Sequence, residues 1–278
     1  MVGGALISLR LTHALGVPLE AETITPDAFA GAATPAIARL PVVHGNAEGA
    51  LGDFFAIQGE ADGAIRLEGD LSRVKYIGKG MTRGRIEIYG DAGMHLGAEM
   101  RGGEIAVHGS AGDWLGAEMR GGTVRVEGSA GHLVGAAYRG SEKGMRGGTI
   151  LVRGSAGNEV GCAMRRGLIV VGGDAGDFTG VMMLAGSIFV FGKLGIRTGA
   201  GMKRGTVVAS QGGDGQPSLL PTFKFDCDYR PVWARVYLRQ LREWGFRVLD
   251  GMLGGLYRRY SGDFIELGKG EILVWISP

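Results

Sequence analysis

A methionine followed three residues later by a glycine recurs seven times in the middle of this chain. The methionines are Met81, Met100, Met119, Met145, Met164, Met183 and Met202; the glycines are Gly84, Gly103, Gly122, Gly148, Gly167, Gly186 and Gly205. The step is 19 residues throughout, except for 26 between Met119 and Met145, where 7 extra residues lie around Tyr138 to Gly144. A fixed period of this size marks a repeat architecture. Nineteen residues are too few for a helix–turn–helix unit, and several glycines per copy, each costing ~1 kcal/mol inside a helix, argue against helix altogether.

After each Met-x-x-Gly, branched apolar residues alternate, as in Ile86 and Ile88, Ile105 and Val107, Val124 and Val126, or Ile188 and Val190. Period-2 alternation predicts a strand with one buried face. A second strand per copy is expected in the run entering each methionine, such as Leu96 to Met100 or Val160 to Met164. Two strands per turn, joined at glycine corners, predict an all-β fold: a right-handed parallel β-helix of about seven regular coils. A coil of this length has a circumference of roughly 60 Å, and coils ~4.8 Å apart stack to about 30 Å. Residues nineteen apart then lie one above another. The methionine column is expected inside, packing the core; the alternative is a methionine-rich ligand groove. Cys162 falls in an interior column with Ala98, Ala117, Val181 and Ala200 and reads as an inert buried thiol.

Three segments are expected. Residues 1–77 form an N-terminal segment with irregular capping coils, residues 78–210 the glycine-rich solenoid, and residues 211–278 a small C-terminal α+β segment packed on it. In the first, Ala5 to Leu11, Pro41 to Val43, Phe54 to Ile57 and Ile65 to Leu67 read as strands, and Thr25 as the N-cap of a short helix beginning at Pro26. Caps are needed because an open solenoid end exposes core and unpaired strand edges. In the last, Gln211 to Pro221 reads as a linker and Pro231 to Trp244 as an amphipathic helix. Its expected inner face carries Val232, Trp233, Val236, Tyr237, Leu241 and Trp244, with Arg235, Arg239, Arg242 and Glu243 opposite. Phe246 to Leu249, Ile265 to Leu267 and Ile272 to Ile276 read as strands. The outward positions of later coils turn apolar at Leu151, Leu168, Val170, Phe189, Phe191 and Val208. A stripe of that size needs a cover, either the C-terminal helix or another subunit.

The residue after each methionine is Arg101, Arg120, Arg146, Arg165 or Lys203, interrupted by Leu184. Like charges stacked ~5 Å apart repel, so something must compensate. Glu99 and Glu118 are expected to pair with Arg101 and Arg120; further along, Ala137 and Ala163 take the acidic positions. Arg139, Lys143, Arg146, Arg165 and Arg166 therefore form a basic cluster with only Glu142 near it. It reads either as a screened ladder or as a surface for an acidic ligand or partner.

Other chemistry is sparse. Five histidines show no metal-ligand spacing, two cysteines make no disulfide framework, and no phosphate-loop motif occurs. A net charge of +2 gives no general reason to bind nucleic acid. No apolar run is long enough to span a membrane, and no targeting segment is evident, so a cytoplasmic location is expected. Catalytic and metal-ligating residues are expected to be absent from this chain.

The coils resemble the glycine-rich domain shared by large glutamate synthase subunits and the gamma (C) subunits of formylmethanofuran dehydrogenases. The second resemblance is carried by Leu51-Gly52-Asp53-Phe54-Phe55, Gly144-Met145-Arg146-Gly147-Gly148-Thr149-Ile150, Gly173-Asp174-Ala175-Gly176-Asp177-Phe178 and Gly201-Met202-Lys203-Arg204-Gly205, and by the tail from Gly262 to Val274. It implies a non-catalytic subunit of a larger enzyme. In the archaeal branch, an oxidoreductase, tungsten or molybdenum sits on other subunits. In the bacterial branch, a formyltransferase/hydrolase complex moves a formyl group from tetrahydromethanopterin to methylofuran and hydrolyses it to formate, with zinc on a partner. Arginine-rich, alanine- and glycine-rich composition favours the bacterial branch. The implied partners are a formyltransferase subunit, an amidohydrolase-like subunit and one further subunit. The basic cluster becomes a candidate holder of the acidic tail of a methylofuran-type coenzyme.

Overall fold

The structure, a computed structural model, describes residues 6–210 and 218–276. The expected linker from Gln211 lies largely outside the described residues, as does Ala5.

One 13-stranded sheet runs the length of the molecule. Its central strands, from Ala64–Glu68 through Arg85–Tyr89, Glu104–Val107, Thr123–Val126, Arg146–Val152, Arg166–Val171 and Ser187–Val190 to Arg204–Ala209, all pair in parallel with their sequence neighbours. The register follows the repeat: Ile86 pairs with Ile105, Ile105 with Val124, Val124 with Ile150, Ile150 with Ile169, and Ile169 with Ile188. These side chains are fully buried, each worth ~1.5–3 kcal/mol relative to exposure. The seven-residue excess leaves the pairing of Thr123–Val126 with Thr149–Val152 intact, so it is extruded as a surface insert. A second line of contact consists of single-residue parallel bridges joining Leu71, Ala92, Ala111, Ala130, Ala156, Ala175 and Leu194. All seven methionines of the repeat are buried to within 1% exposure, so their column is core and not a ligand groove.

The run entering each methionine is a turn, not the second strand expected. In Leu96 to Met100, Gly97 and Glu99 have φ of +63° and +57°, and His95 just before has +62°. Left-handed residues at alternate positions coil the backbone too tightly for an extended strand. The same conformation recurs at Trp114 and Glu118, and at Glu159 and Ala163. These non-glycine residues are held by hydrogen bonds to the next copy, such as His95 N to the Asp113 carbonyl at 2.9 Å and Glu99 N to the Ala117 carbonyl at 2.8 Å.

At the N-terminal end, Ile7–Leu11 pairs in parallel with Ala64–Glu68 and antiparallel with Phe55–Gln58. A 4-stranded sheet and three short helices lie beside it. Thr25 caps the Pro26–Phe29 helix, accepting a 3.0 Å hydrogen bond from Ala28 N. At the other end Lys269–Ile276 continues the parallel stack against Arg204–Ala209. Leu256–Gly262 and Lys224–Tyr229 then add as antiparallel strands. These two strands were not expected, because charged residues interrupt their apolar pattern. The strands expected at Phe246 to Leu249 and Ile265 to Leu267 do not form: the first is irregular and leads into a short helix, Asp250–Gly254, and the second is an exposed turn.

The tail helix spans Val232–Glu243. Ala234, Leu238 and Leu241 are its buried residues and pack with Leu151, Leu168, Val170, Phe189 and Val208 of the sheet. The outer apolar stripe is thus covered from within the chain. The helix is rotated relative to expectation, with Val232 and Val236 turned outward at 67% and 68% exposure. Ala234, Leu238 and Leu241 are each fully buried against that stripe.

Candidate functional site

The residues following the repeat methionines stack as the period requires. Arg101 N donates to the Met81 carbonyl at 2.8 Å, Arg120 N to Met100 at 2.7 Å, Arg146 N to Met119 at 2.7 Å, and Arg165 N to Met145 at 2.8 Å. The resulting row of cations is neutralised with an offset. Glu99 pairs with Arg120 at 3.7 Å and Glu118 with Arg146 at 3.9 Å, not with Arg101 and Arg120. From the tight turns at Glu99 and Glu118 each carboxylate reaches the arginine of the following copy. Lys203 finds Glu266 of the C-terminal segment at 3.7 Å. Arg101 and Arg165 are left over: by that offset the partner of Arg101 would come from position 80, which is glycine, and no ion pair is formed by Arg101 among the described residues. Arg101 is exposed, whereas the Nε of Arg165 is buried. By the same offset the partner of Arg165 would come from position 137, which is alanine, and among the described residues it makes no ion pair. The Nε donors of Arg146 and Arg165 are both buried without a hydrogen-bond partner. An orphaned donor costs ~1–3 kcal/mol unless something else supplies an acceptor.

The remaining members of the expected cluster divide between two places. Arg166 sits opposite Arg146 in the register of adjacent strands. It lines a cleft of about 530 Å³ between sheet and tail helix, with Thr149, Ser187, Tyr237 and Trp244. Arg139 and Lys143 ride on the insert, exposed and without ion-pair partners among the described residues. Arg146 and Arg165 therefore form the core of the site, Arg166 faces the cleft, and Arg139 and Lys143 approach from a separate loop.

The insert is anchored by an aromatic stack. Tyr76 and His95 stack with centroids 4.4 Å apart, His95 and Trp114 at 6.1 Å, and Tyr138 of the insert lies 5.0 Å from Trp114. The Tyr138 hydroxyl lies 3.0 Å from His95 Nδ1, and Tyr138 N donates to Glu118 Oε1 at 3.3 Å. Glu118 therefore touches both Arg146 and the root of the insert, linking the loop to the basic core. Burial, reinforced by Lys75 and Lys79 nearby, pushes the His95 pKa down to about 4, so its imidazole is neutral. Sequence reasoning passed over this stack, although positions 76, 95 and 114 are nineteen apart and the period alone aligns them.

Beside the insert, Ala136, Ala137, Cys162 and Ala163 form a small buried cluster with Trp114, Leu133 and Val181. Burial raises the Cys162 thiol to about 11, which suits packing and not nucleophilic chemistry. Among the described residues no group of three or more His, Cys, Asp or Glu is placed to hold a metal ion. No helix among them is long and apolar enough to cross a membrane.

Comparison with known proteins bears on this geometry. The model of the GXGXG motif family matches residues 65–214. The chain is 52% identical over 83 residues to the C subunit of molybdenum-containing formylmethanofuran dehydrogenase 1 of Methanothermobacter thermautotrophicus, a match spanning 29% of this chain and 21% of that protein. It is 43% identical over 86 residues to the C subunit of tungsten-containing formylmethanofuran dehydrogenase 2 of the same organism, spanning 29% and 32%. The matched segments thus cover about a fifth to a third of these relatives' length. A solved structure, the X-ray crystal structure of the formyltransferase/hydrolase complex (FhcABCD) from Methylorubrum extorquens in complex with methylofuran, contains a chain that is similar throughout. The TM-score is 0.90 and the identity 36%, covering 97% of this chain and 100% of that one. With the family model spanning more than half of its residues, the chain belongs to the GXGXG motif family, and its relatives there are C subunits of formylmethanofuran dehydrogenases.

Proposed function

We propose that this chain is a non-catalytic structural subunit of a formyltransferase/hydrolase complex, which moves a formyl group from formyl-tetrahydromethanopterin to methylofuran and hydrolyses it to formate during formaldehyde oxidation. The observation that carries the reading is the end-to-end correspondence with a chain of the Methylorubrum extorquens complex. The parallel register supports the finer architecture, a right-handed parallel β-helix with an N-terminal segment of residues 1–77, regular coils over 78–210 and a C-terminal segment over 211–278. A rigid stack of this kind holds partner surfaces at fixed spacing, and its burial of methionine, isoleucine and alanine leaves reaction chemistry to other subunits. Those partners are a formyltransferase subunit, an amidohydrolase-like subunit that binds zinc, and one further subunit, in the cytoplasm. The archaeal reading, a gamma subunit beside tungsten or molybdenum centres, is favoured by the local identity to the dehydrogenase C subunits.

The test is purification of the native chain with whatever accompanies it. Formyltransferase and amidohydrolase-like subunits without tungsten or molybdenum are expected; formyl transfer or hydrolysis by the isolated chain overturns the structural role.

A second reading concerns the basic core. We propose that Arg146 and Arg165, assisted by Arg139, Lys143 and Arg166, hold the acidic tail of a methylofuran-type coenzyme. The two orphaned Nε donors support it, since carboxylates supply the missing acceptors. The double variant Arg146→Glu/Arg165→Glu is expected to lose bound coenzyme while the complex still assembles. Unchanged coenzyme content rejects the idea.

A further inference from the structure

The tail helix covers the sheet with one side and leaves Val232, Val236 and Tyr237 exposed among the charged residues of the other. Val232 and Val236 lie one turn apart on the same face, and Tyr237 beside them is 40% exposed. Single exposed valines are ordinary, but Val236 lines the cleft of about 530 Å³ together with Tyr237, Leu241 and Trp244, and Val232 follows one turn further along. The cleft is large enough to take one or two side chains, and the apolar surface continues from its mouth along two helical turns.

The rim of this surface is cationic and unpaired. Arg166 lies in the cleft, and Arg235 and Arg239 flank the two valines on the side away from it. None of the three guanidinium groups has an ion pair or hydrogen bond among the described residues. The one acid on the helix, Glu243, accepts a 3.0 Å hydrogen bond from Gln240. A small molecule filling the cleft would meet Val236 but leave Val232 wet. A second copy of this chain, docked face to face about a two-fold axis, would set these arginines against their own images.

We infer that this face seats an acidic amphipathic segment of a partner subunit. An apolar side chain of the segment enters the cleft between Tyr237 and Trp244, a second lies across Val232 and Val236, and its carboxylates meet Arg235 and Arg239. This rests on the reading of the chain as a subunit, and adds which surface is used and the chemistry that fits it.

The experiment uses the assembled complex carrying p-benzoylphenylalanine in place of Val236. Irradiation is expected to join it to a partner peptide bearing several Asp or Glu residues near the attachment point. Cross-linking to another copy of this chain, to a peptide lacking acids, or to nothing overturns the inference. In parallel, Val236→Glu and the double variant Arg235→Glu/Arg239→Glu, each keeping the wild-type circular dichroism spectrum, are expected to weaken assembly about tenfold or more, with recovery when the partner's acids are reversed. Normal assembly of both variants overturns the surface assignment and leaves the subunit reading standing, whereas a wild-type chain that purifies alone removes both.

Discussion

Gly116 lies in the turn entering Met119 with φ of +60°, and a methyl group there would come within 2.5 Å of Ile150 Cδ1 and 3.6 Å of Met119 Sδ. Two costs arise on Gly116→Ala. The left-handed conformation disfavours alanine by ~1–2 kcal/mol, part of which is returned by the stiffer unfolded chain. The clash with Ile150, itself fully buried, adds the ~1–3 kcal/mol typical of overpacking. A net loss of about 2–4 kcal/mol is expected. Gly80 provides the control, because its φ is +67° but nothing lies within 4 Å of the added methyl. Gly80→Ala should therefore cost only about 1 kcal/mol, the conformational part. Urea unfolding followed by circular dichroism reads both variants on the same transition. Ile150→Val removes the clashing Cδ1, so Gly116→Ala/Ile150→Val should be more stable than the sum of the singles by about 1–2 kcal/mol. Equal destabilisation at Gly80 and Gly116, or strict additivity with Ile150→Val, would refute the claim that the turn packs directly on the strand column.

Two further outcomes follow from the insert and its surroundings. His95 has a folded-state pKa of about 4 against 6.5 for the free side chain, so the unfolded chain takes up the proton first. Stability should be intact above about pH 6.5 and fall as pH drops towards 4, by about 1–2 kcal/mol after discounting for partial solvent access; His95→Asn should flatten that limb of the pH–stability curve. Cys162, buried with its thiol raised to about 11, should resist a thiol reagent at pH 8 until the protein unfolds, while the half-buried Cys227 reacts in the native state.

The columns were legible in the sequence because the spacing between methionines has only one structural meaning when the glycines share it. Ile105, Val124 and Ile150 stand where the period puts them. The turns were not legible, because Leu96-Gly97-Ala98-Glu99-Met100 alternates in a way that fits a strand as well as a coil held by left-handed residues. Which of the two forms is decided by hydrogen bonds to the neighbouring copy. The tail helix was found but mis-rotated. Its arginines suggest which side is wet, yet Ala234 is buried with Leu238 and Leu241, and a small residue carries little signal in an amphipathic pattern. At the site, the period identified Arg146 and Arg165. It could not reveal that Glu118 reaches forward to the next copy, nor that Tyr138 bends back to His95 and so brings the insert beside them.

The strands at the two termini of the stack set how far it can grow. At one end Phe55–Gln58 runs antiparallel to Ile7–Leu11; at the other, Lys224–Tyr229 is the last strand of the sheet order. That final strand reads Lys-Phe-Asp-Cys-Asp-Tyr, and its acids are tied back to Arg258 and Arg259 of the adjacent strand at 3.0 and 3.4 Å. A newcomer pairing there would meet charge at every second residue. The molecule thus carries its own terminators, and a stack whose length is fixed in this way stays discrete instead of polymerising into a fibre.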